Sequence, residues 1–393
     1  MLPVLLLTVV IDLIGFGLIL PLLPFYATSF GASPFAIAML AAVFSIAQFL
    51  SATPLGGLSD RIGRRPVFLG CMALSVIGYT WLANADSLLA IFLARTIAGI
   101  GSGKIGVARA IIADSTPPEQ RARGMGLIGG AFGIGMILGP LIGGLLVGPD
   151  PQQPNYTLPA LAAAGTSGLA LLLAIFVIRE TRPDAPHTLA GLQLWRNPFA
   201  ALPQLGRTVL ALIAINCAIN FVFSQIEVLF PLFSAARLDW HAYEVGLAFT
   251  FIGSIVVTMQ GVLIGPLTRL FGERRLLTLG MINLAIGTAM AHLIVSTPMM
   301  GLSILLTATG VAMIGPTISS LVSRSAPATQ QGIALGTMES LAALGRTFGP
   351  LWGGWLFGSA GINAPYWIGG AVLAITLALG WRSIHAELPA ARE

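Results

Sequence analysis

The sequence predicts an all-α integral membrane protein of twelve transmembrane helices, arranged as two pseudo-symmetric six-helix bundles. Three observations carry that prediction. Of 393 residues, 56% are hydrophobic and only 9% charged, against roughly 25% charged in an ordinary soluble domain, which is too few to cover a water-facing surface. The chain divides into twelve apolar segments, each near the roughly 20 residues that a helix needs to cross a bilayer. A glycine-rich pattern in the first half also recurs in the second.

Clusters of charge, proline and polar residues set the cuts between segments. The first, 2–24, opens directly on an apolar run with no basic stretch and no small-residue cleavage site, so it reads as a retained span. Segment 34–58 ends before Arg61, Arg64 and Arg65; 67–85 and 88–112 follow, with Arg121 and Arg123 leading out of the fourth. Segments 124–148 and 158–178 complete the first six. The longest connection runs from Arg179 to Arg207 and holds Pro183, Pro186, Pro198 and Pro203. Residues 1–180 are therefore expected to form the N-terminal bundle, 181–206 a cytoplasmic linker, and 207–393 the C-terminal bundle. The second six segments are 208–235, 243–265, 276–295, 299–322, 332–357 and 364–381. Arg269, Arg274 and Arg275 follow segment 8, and Arg324 follows segment 10.

Basic residues fix the orientation. Fifteen of them lie in the even-numbered loops, the linker and the tail, where Arg382 and Arg392 stand, whereas the odd-numbered loops hold only Arg237. Both termini and the linker are thus expected in the cytoplasm. The net charge of +5 then reports topology rather than an anionic macromolecular partner.

The repeat is specific. Gly135, Gly139, Pro140, Gly143 and Gly144 of segment 5 recur as Gly345, Gly349, Pro350, Gly353 and Gly354 of segment 11, at an offset of 210 residues. Ser115, Pro117 and Gln120 pair with Ser325, Pro327 and Gln330 at the same offset. Six segments per half make the halves parallel repeats about an axis along the membrane normal, an arrangement found in transporters with a site at the repeat interface. Glycines at this spacing also make a groove in which a neighbouring helix can sit closely, so tight packing is the plain alternative to a role in transport.

Other chemistries fall away. Cys71 and Cys217 have no metal or redox spacing, and His187, His241, His292 and His385 are scattered. Gly101 to Gly106 fits a nucleotide-loop spacing, but it lies inside an apolar segment with no strand before it, and Ala98 and Ile105 stand where such a loop requires other residues. No enzymatic constellation is present in the sequence. There is no room for a nucleic-acid face.

The stretch Gly56-Gly-Leu-Ser-Asp60-Arg61-Ile-Gly63-Arg64-Arg65 reads as a loop between segments 2 and 3. Gly56 would let a helix end pack closely, Gly63 would allow a tight reversal, and Asp60 or Asp114 could accept a salt bridge from an arginine. A solvated, purely topogenic loop is the alternative.

On these residues the chain resembles the major facilitator superfamily, and within it the twelve-span drug:proton antiporter group. The loop matches G-x-x-x-D-R-x-G-R-R from Gly56 to Arg65, Arg95 and Gly99 match R-x-x-x-G, and Gly135 to Gly144 match the exporter signature G-x-x-x-G-P-x-x-G-G. Asp12 to Pro21, Ser59 to Pro66, Ile112 to Asp114 and Gly272 to Arg275 resemble the bacterial tetracycline efflux proteins. The resemblance implies a major facilitator fold and proton-coupled efflux of small amphipathic compounds by alternating access. It also implies that Asp60, Arg64 and Asp114 form a cytoplasmic latch. Val256 and Leu284 stand where the tetracycline proteins carry a histidine and an aspartate, which puts tetracycline itself in doubt.

Seven ionisable residues fall inside segments: Asp12, Arg95, Lys104, Arg109, Glu227, Glu339 and Arg346. Each costs roughly 2.5–3.5 kcal/mol near a helix centre, so each needs a partner or a wet cavity. Asp12, Glu227 and Glu339 are the candidates for proton coupling, with a buried ion pair as the alternative for each. On a continuous helix Arg95 and Arg109 share a face and Lys104 does not. Lys104 and Arg109 either pair with those carboxylates or favour an anionic substrate. Arg95, Lys104, Arg109, Asn216, Asn220, Gln225 and Arg346 are the candidate substrate contacts, and Gln48, Gln260, Phe16, Phe221, Phe223, Phe230 and Trp352 could join them.

The expected partners are a small-molecule substrate and the lipid bilayer, with protons as coupling ion and no other cofactor or metal. A monomer in the bacterial cytoplasmic (inner) membrane is expected. The alternatives are a facilitator or importer of a metabolite or organic anion, and a non-transporting sensor or scaffold on the same fold.

Overall fold

Apolar stretches in a bilayer must satisfy every backbone group internally, and helices do so. The computed structural model describes residues 2–148, 150, 152–181, 205–327 and 330–385, and these are nearly all helical, with no strand among them. Most of the expected linker (182–204, with Arg182 and Arg196) and the tail residue Arg392 lie outside the described residues.

The first segment is a bent pair, α1 (Leu2–Ile19) and α2 (Leu23–Ser29), turned by 43°. Pro21 and Pro24 sit at the break and cannot donate to an α-helical ladder. Then come α3 (Pro34–Ile62), α4 (Arg64–Ala83), α5 (Leu88–Gly101), α6 (Lys104–Ser115), α7 (Pro118–Val147) and α8 (Thr157–Val177). Segment 4 is interrupted between α5 and α6 at Ser102 and Gly103. The second half contributes α9 (Arg207–Leu238), α10 (Ala242–Thr258), α11 (Ile264–Phe271), α12 (Glu273–Ala289), α13 (Thr297–Ser325), α14 (Gln331–Ser359) and α15 (Ala364–His385). A π-helical turn, Met259–Leu263, joins α10 to α11.

Ten helical stretches among the described residues, with α5–α6 and α10–α11 each running as one, are long and apolar enough to cross a membrane, or eleven when α1 and α2 count as one span. The segment expected at 332–357 is the 29-residue helix α14, whose Glu339, Arg346 and glycines make it less apolar than the others.

Two units emerge: Met1–Ser33, Met39–Arg196 and Trp240–Gly253 form one, and Pro34–Ala38, Asn197–Asp239 and Ser254–Glu393 the other. In the first, α7 lies along α1 with the backbones nearly touching. A Cβ at Gly135 would come 2.8 Å from the Leu13 backbone, one at Gly139 2.6 Å from Gly17 Cα, and one at Gly143 2.6 Å from the Leu18 carbonyl. In the second, α14 lies along α9 in the same way: a Cβ at Gly345 would stand 2.7 Å from the Cys217 carbonyl and one at Gly353 2.7 Å from Gln225 Cβ. Helices 1 and 5 of each repeat thus pair through the same glycines. Gly144 and Gly354 take a second neighbour, since their Cβ positions point at Tyr243 and Gly246 and at Pro34 and Ala38 respectively.

A measurable consequence concerns Gly139. Gly139→Leu is expected to lower the unfolding temperature of the detergent-solubilised protein, because overpacking costs about 1–3 kcal/mol or more where nothing can yield. Gly130→Leu, where a Cβ meets nothing within 4 Å, is expected to change it little. Equal shifts in a thermal unfolding assay would remove the close α1–α7 approach as the reason for the glycine.

Candidate functional site

The stretch from Gly56 to Arg65 is not a loop. Helix α3 continues to Ile62 and Gly63 alone separates it from α4, at φ +103°, a conformation that favours glycine. Gly56 does not serve close packing either, since a Cβ there would meet nothing within 4 Å. What the short junction achieves is placement of Arg64. Its guanidinium reaches Asp60 at 2.8 Å and Asp114 at 3.0 Å and donates to Ser59 Oγ at 2.7 Å. Asp60, Arg64 and Asp114 are therefore brought together. Arg65 donates to the Ile175 carbonyl at 2.7 Å, and Arg61 lies in the last turn of α3.

One member was not legible from sequence. Glu180, just past the end of α8, accepts the backbone N–H of Arg64 at 2.8 Å and of Arg65 at 3.0 Å. Those first-turn amides have no acceptor within α4, and a carboxylate there also complements the helix dipole. A side chain at Gly63 would collide with that carboxylate. Thr181 adds a 3.4 Å contact to Asp114. The only sequence signal was an acid directly after an apolar segment.

Deeper in the same unit lies an ion pair. Lys104 Nζ stands 2.6 Å from Asp12 Oδ2 and donates to Ser75 Oγ at 2.6 Å, while Ser167 Oγ donates to Asp12 Oδ1 at 3.0 Å. Four helices, α1, α4, α6 and α8, thus meet at one point. Asp12 is 1% exposed and Lys104 7%, so both charges are out of water and each oxygen of Asp12 has a donor. The two alternatives for Asp12 meet here, because a carboxylate proposed for coupling is also half of a buried pair.

The other cations of this unit behave differently. Arg95 is buried, with its guanidinium 4.3 Å over the Phe44 ring, and its Nε has no hydrogen-bond partner. Arg109 is exposed on α6. Arg95 and Arg109, expected on one face, thus differ in burial although α5 and α6 run together as a single span, Leu88–Ser115.

In the second unit a polar cluster sits where α14 crosses α9. Arg346 donates to Asn220 Oδ1 at 3.0 Å and pairs with Glu339 at 3.2 Å. Asn220 in turn donates to the Asn216 carbonyl at 2.9 Å. The Glu339–Arg346 pair is largely exposed. Gln225 is buried and donates to the Pro365 carbonyl at 3.0 Å, so it holds α9 to α15. Glu227, half-buried on α9, forms no hydrogen bond or ion pair with a described residue, and Arg346 is the nearby charge that acts on it. Gln260 lies on the π-helical turn, 3.5 Å from the Ala312 carbonyl, and Trp352 is exposed and packs on Trp355.

No three metal-ligating side chains converge among the described residues. Comparison with known proteins identifies the family. The model of the Major Facilitator Superfamily matches residues 5–263 and 259–392. A class G tetracycline resistance protein from Vibrio anguillarum is 32% identical over 395 residues, covering 94% of this chain and 93% of its own length. A class C tetracycline resistance protein from Escherichia coli is 33% identical over 358 residues, covering 88% and 86%. The crystal structure of the human organic anion transporter MFSD10 (TETRAN) superimposes with a TM-score of 0.72 at 27% identity, covering 96% of this chain and 98% of that one. With the family's motifs, its duplicated helix pairing and no enzymatic centre among its relatives, the chain belongs to the Major Facilitator Superfamily and is a membrane transporter.

Proposed function

We propose that the chain is a proton-coupled antiporter that exports small amphipathic compounds by alternating access across the bacterial cytoplasmic (inner) membrane, with both termini in the cytoplasm. The observation that carries this reading is the state of the three in-span carboxylates. Asp12 is held by Lys104 and Glu339 by Arg346, whereas Glu227 has no ion-pair or hydrogen-bond partner among the described residues. An intramembrane carboxylate without a directly paired cation costs free energy that proton uptake removes. Glu227 is therefore assigned the coupling proton, with Asp12 and Glu339 as further candidates that are each already paired with a cation. The Asp60–Arg64–Asp114 network acts as the latch on one state. Relatedness to tetracycline resistance proteins supports export.

The membrane potential contributes about 2.3 kcal/mol per charge per 100 mV, so one proton suffices to drive a modest substrate gradient. Proteoliposomes containing the full chain test this. An imposed proton gradient is expected to drive accumulation of a fluorescent amphipathic probe, and adding a protonophore is expected to abolish it. Accumulation indifferent to the gradient would replace antiport by facilitated diffusion.

A further inference from the structure

Among the described residues of the first unit, four charged ones are at least nine-tenths buried: Asp12, Arg64, Arg95 and Lys104. Arg64 is answered by Asp60 and Asp114, and Lys104 by Asp12. Arg95 faces no carboxylate among the described residues. It is 3% exposed, its Nε is unpartnered, and its close neighbours are the Phe44 ring and Tyr79, a hydroxyl rather than an anion. Asp12, the in-span carboxylate of this unit, is taken by Lys104. Among its described residues, the buried interior of this unit therefore carries one positive charge too many. An uncompensated charge in a low-dielectric site persists where a ligand of opposite sign completes it.

What surrounds Arg95 narrows that ligand. Phe44 packs on Phe16 with ring centroids 5.7 Å apart, and Phe16 on Phe132 at 6.4 Å. Phe132 is 48% exposed, so three rings from α3, α1 and α7 lead from an open surface to the buried guanidinium. Phe44 holds the place of an anion by offering its electron-rich face. A planar guanidinium also matches a carboxylate in bidentate fashion, which an aromatic ring does not.

We infer that Arg95, with Phe44, Phe16 and Phe132, forms a binding site for an aromatic organic anion, whose carboxylate displaces the Phe44 ring from the guanidinium while its apolar body lies along the other rings. This deepens the transport reading by naming a substrate class, and it rests on that reading for its physiological meaning. It also moves the anion preference from Lys104 and Arg109 to Arg95, because Lys104 is neutralised within the protein.

The test is equilibrium binding to the detergent-solubilised full chain, with no gradient present. Radiolabelled 2-naphthoate is the probe, with 2-naphthamide and 2-naphthylmethylammonium as competitors of matched size. Naphthoate is expected to bind, and both competitors to bind at least about tenfold more weakly, as the loss of a charge-assisted hydrogen bond implies. Arg95→Gln removes an unbalanced buried charge, so it is expected to fold and to lose naphthoate binding, while Arg95→Lys retains part of it. Equal binding of the amide or the ammonium by the wild-type chain would overturn the proposal, a result that needs no variant. Wild-type affinity in folded Arg95→Gln would overturn it too. Binding of naphthoate without gradient-driven flux would sink the antiport reading alone. Gradient-driven export of an aromatic cation with no naphthoate binding would sink the anion site alone.

Discussion

Glu227→Gln is expected to reduce gradient-driven substrate flux to the level of protein-free liposomes while leaving substrate counterflow intact. The amide keeps the shape of the carboxyl and loses only its titration. Net transport against a gradient needs a proton taken up and released once per cycle, whereas counterflow at equal pH needs only the exchange of bound substrate. A second consequence has the opposite sign. Glu227 sits on α9 without an ion-pair or hydrogen-bond partner among the described residues, and an ionised residue near a helix centre costs roughly 2.5–3.5 kcal/mol on insertion scales. Removing it is therefore expected to raise the unfolding temperature. Glu339→Gln provides the contrast: its pair with Arg346 is largely exposed, and such pairs contribute about 0–1 kcal/mol. Driven flux that survives in Glu227→Gln would take that residue out of the mechanism.

The buried pair Asp12–Lys104 yields the largest expected change in stability. Breaking a buried ion pair by removing one partner costs about 3–5 kcal/mol, while replacing both by uncharged groups of similar volume is often neutral or stabilising. Asp12→Asn leaves Lys104 with only Ser75, and Lys104→Met leaves Asp12 with only Ser167. Both single variants are expected to unfold well below the wild type in detergent. The double variant Asp12→Asn/Lys104→Met is expected to recover most of the loss. Additive effects in that cycle would mean the pair does not act as a unit. Flux in the recovered double variant separates structure from coupling: restored driven flux assigns Asp12 to holding α1, α4, α6 and α8 together, and persistent absence gives it a share of the proton's path.

The two variants differ because pairing is decided by geometry. All seven in-span charges were visible in the sequence as costly residues in apolar segments, and so was the scarcity that made each of them matter. Nothing local said that Lys104 rather than Arg95 would meet Asp12. That outcome depends on which helices pack around each residue: Asp12 on α1 and Ser75 on α4 meet Lys104, while Phe44 on α3 covers Arg95. Spacing along one helix does not decide burial either, since Arg95 is buried and Arg109 exposed.

The glycine motifs show the same division. Their spacing announced both a groove and a duplication, and the helices that fill the grooves, α1 on α7 and α9 on α14, are equivalent in the two repeats. The junction at Gly63 was readable as a reversal. Its tenant, Glu180, was not, because a carboxylate finds first-turn amides only after α8 has ended beside α4.

By itself the sequence determined the solvent, the all-helical class, the duplication and the inventory of charges, because lipid restricts the chain to apolar helices and makes every exception conspicuous. Only the tertiary structure decided which charges neutralise one another. Ion pairs form over a few ångströms between helices distant in the chain, so the packing of those helices left Asp12 paired, and Arg95 and Glu227 without an ion-pair partner among the described residues.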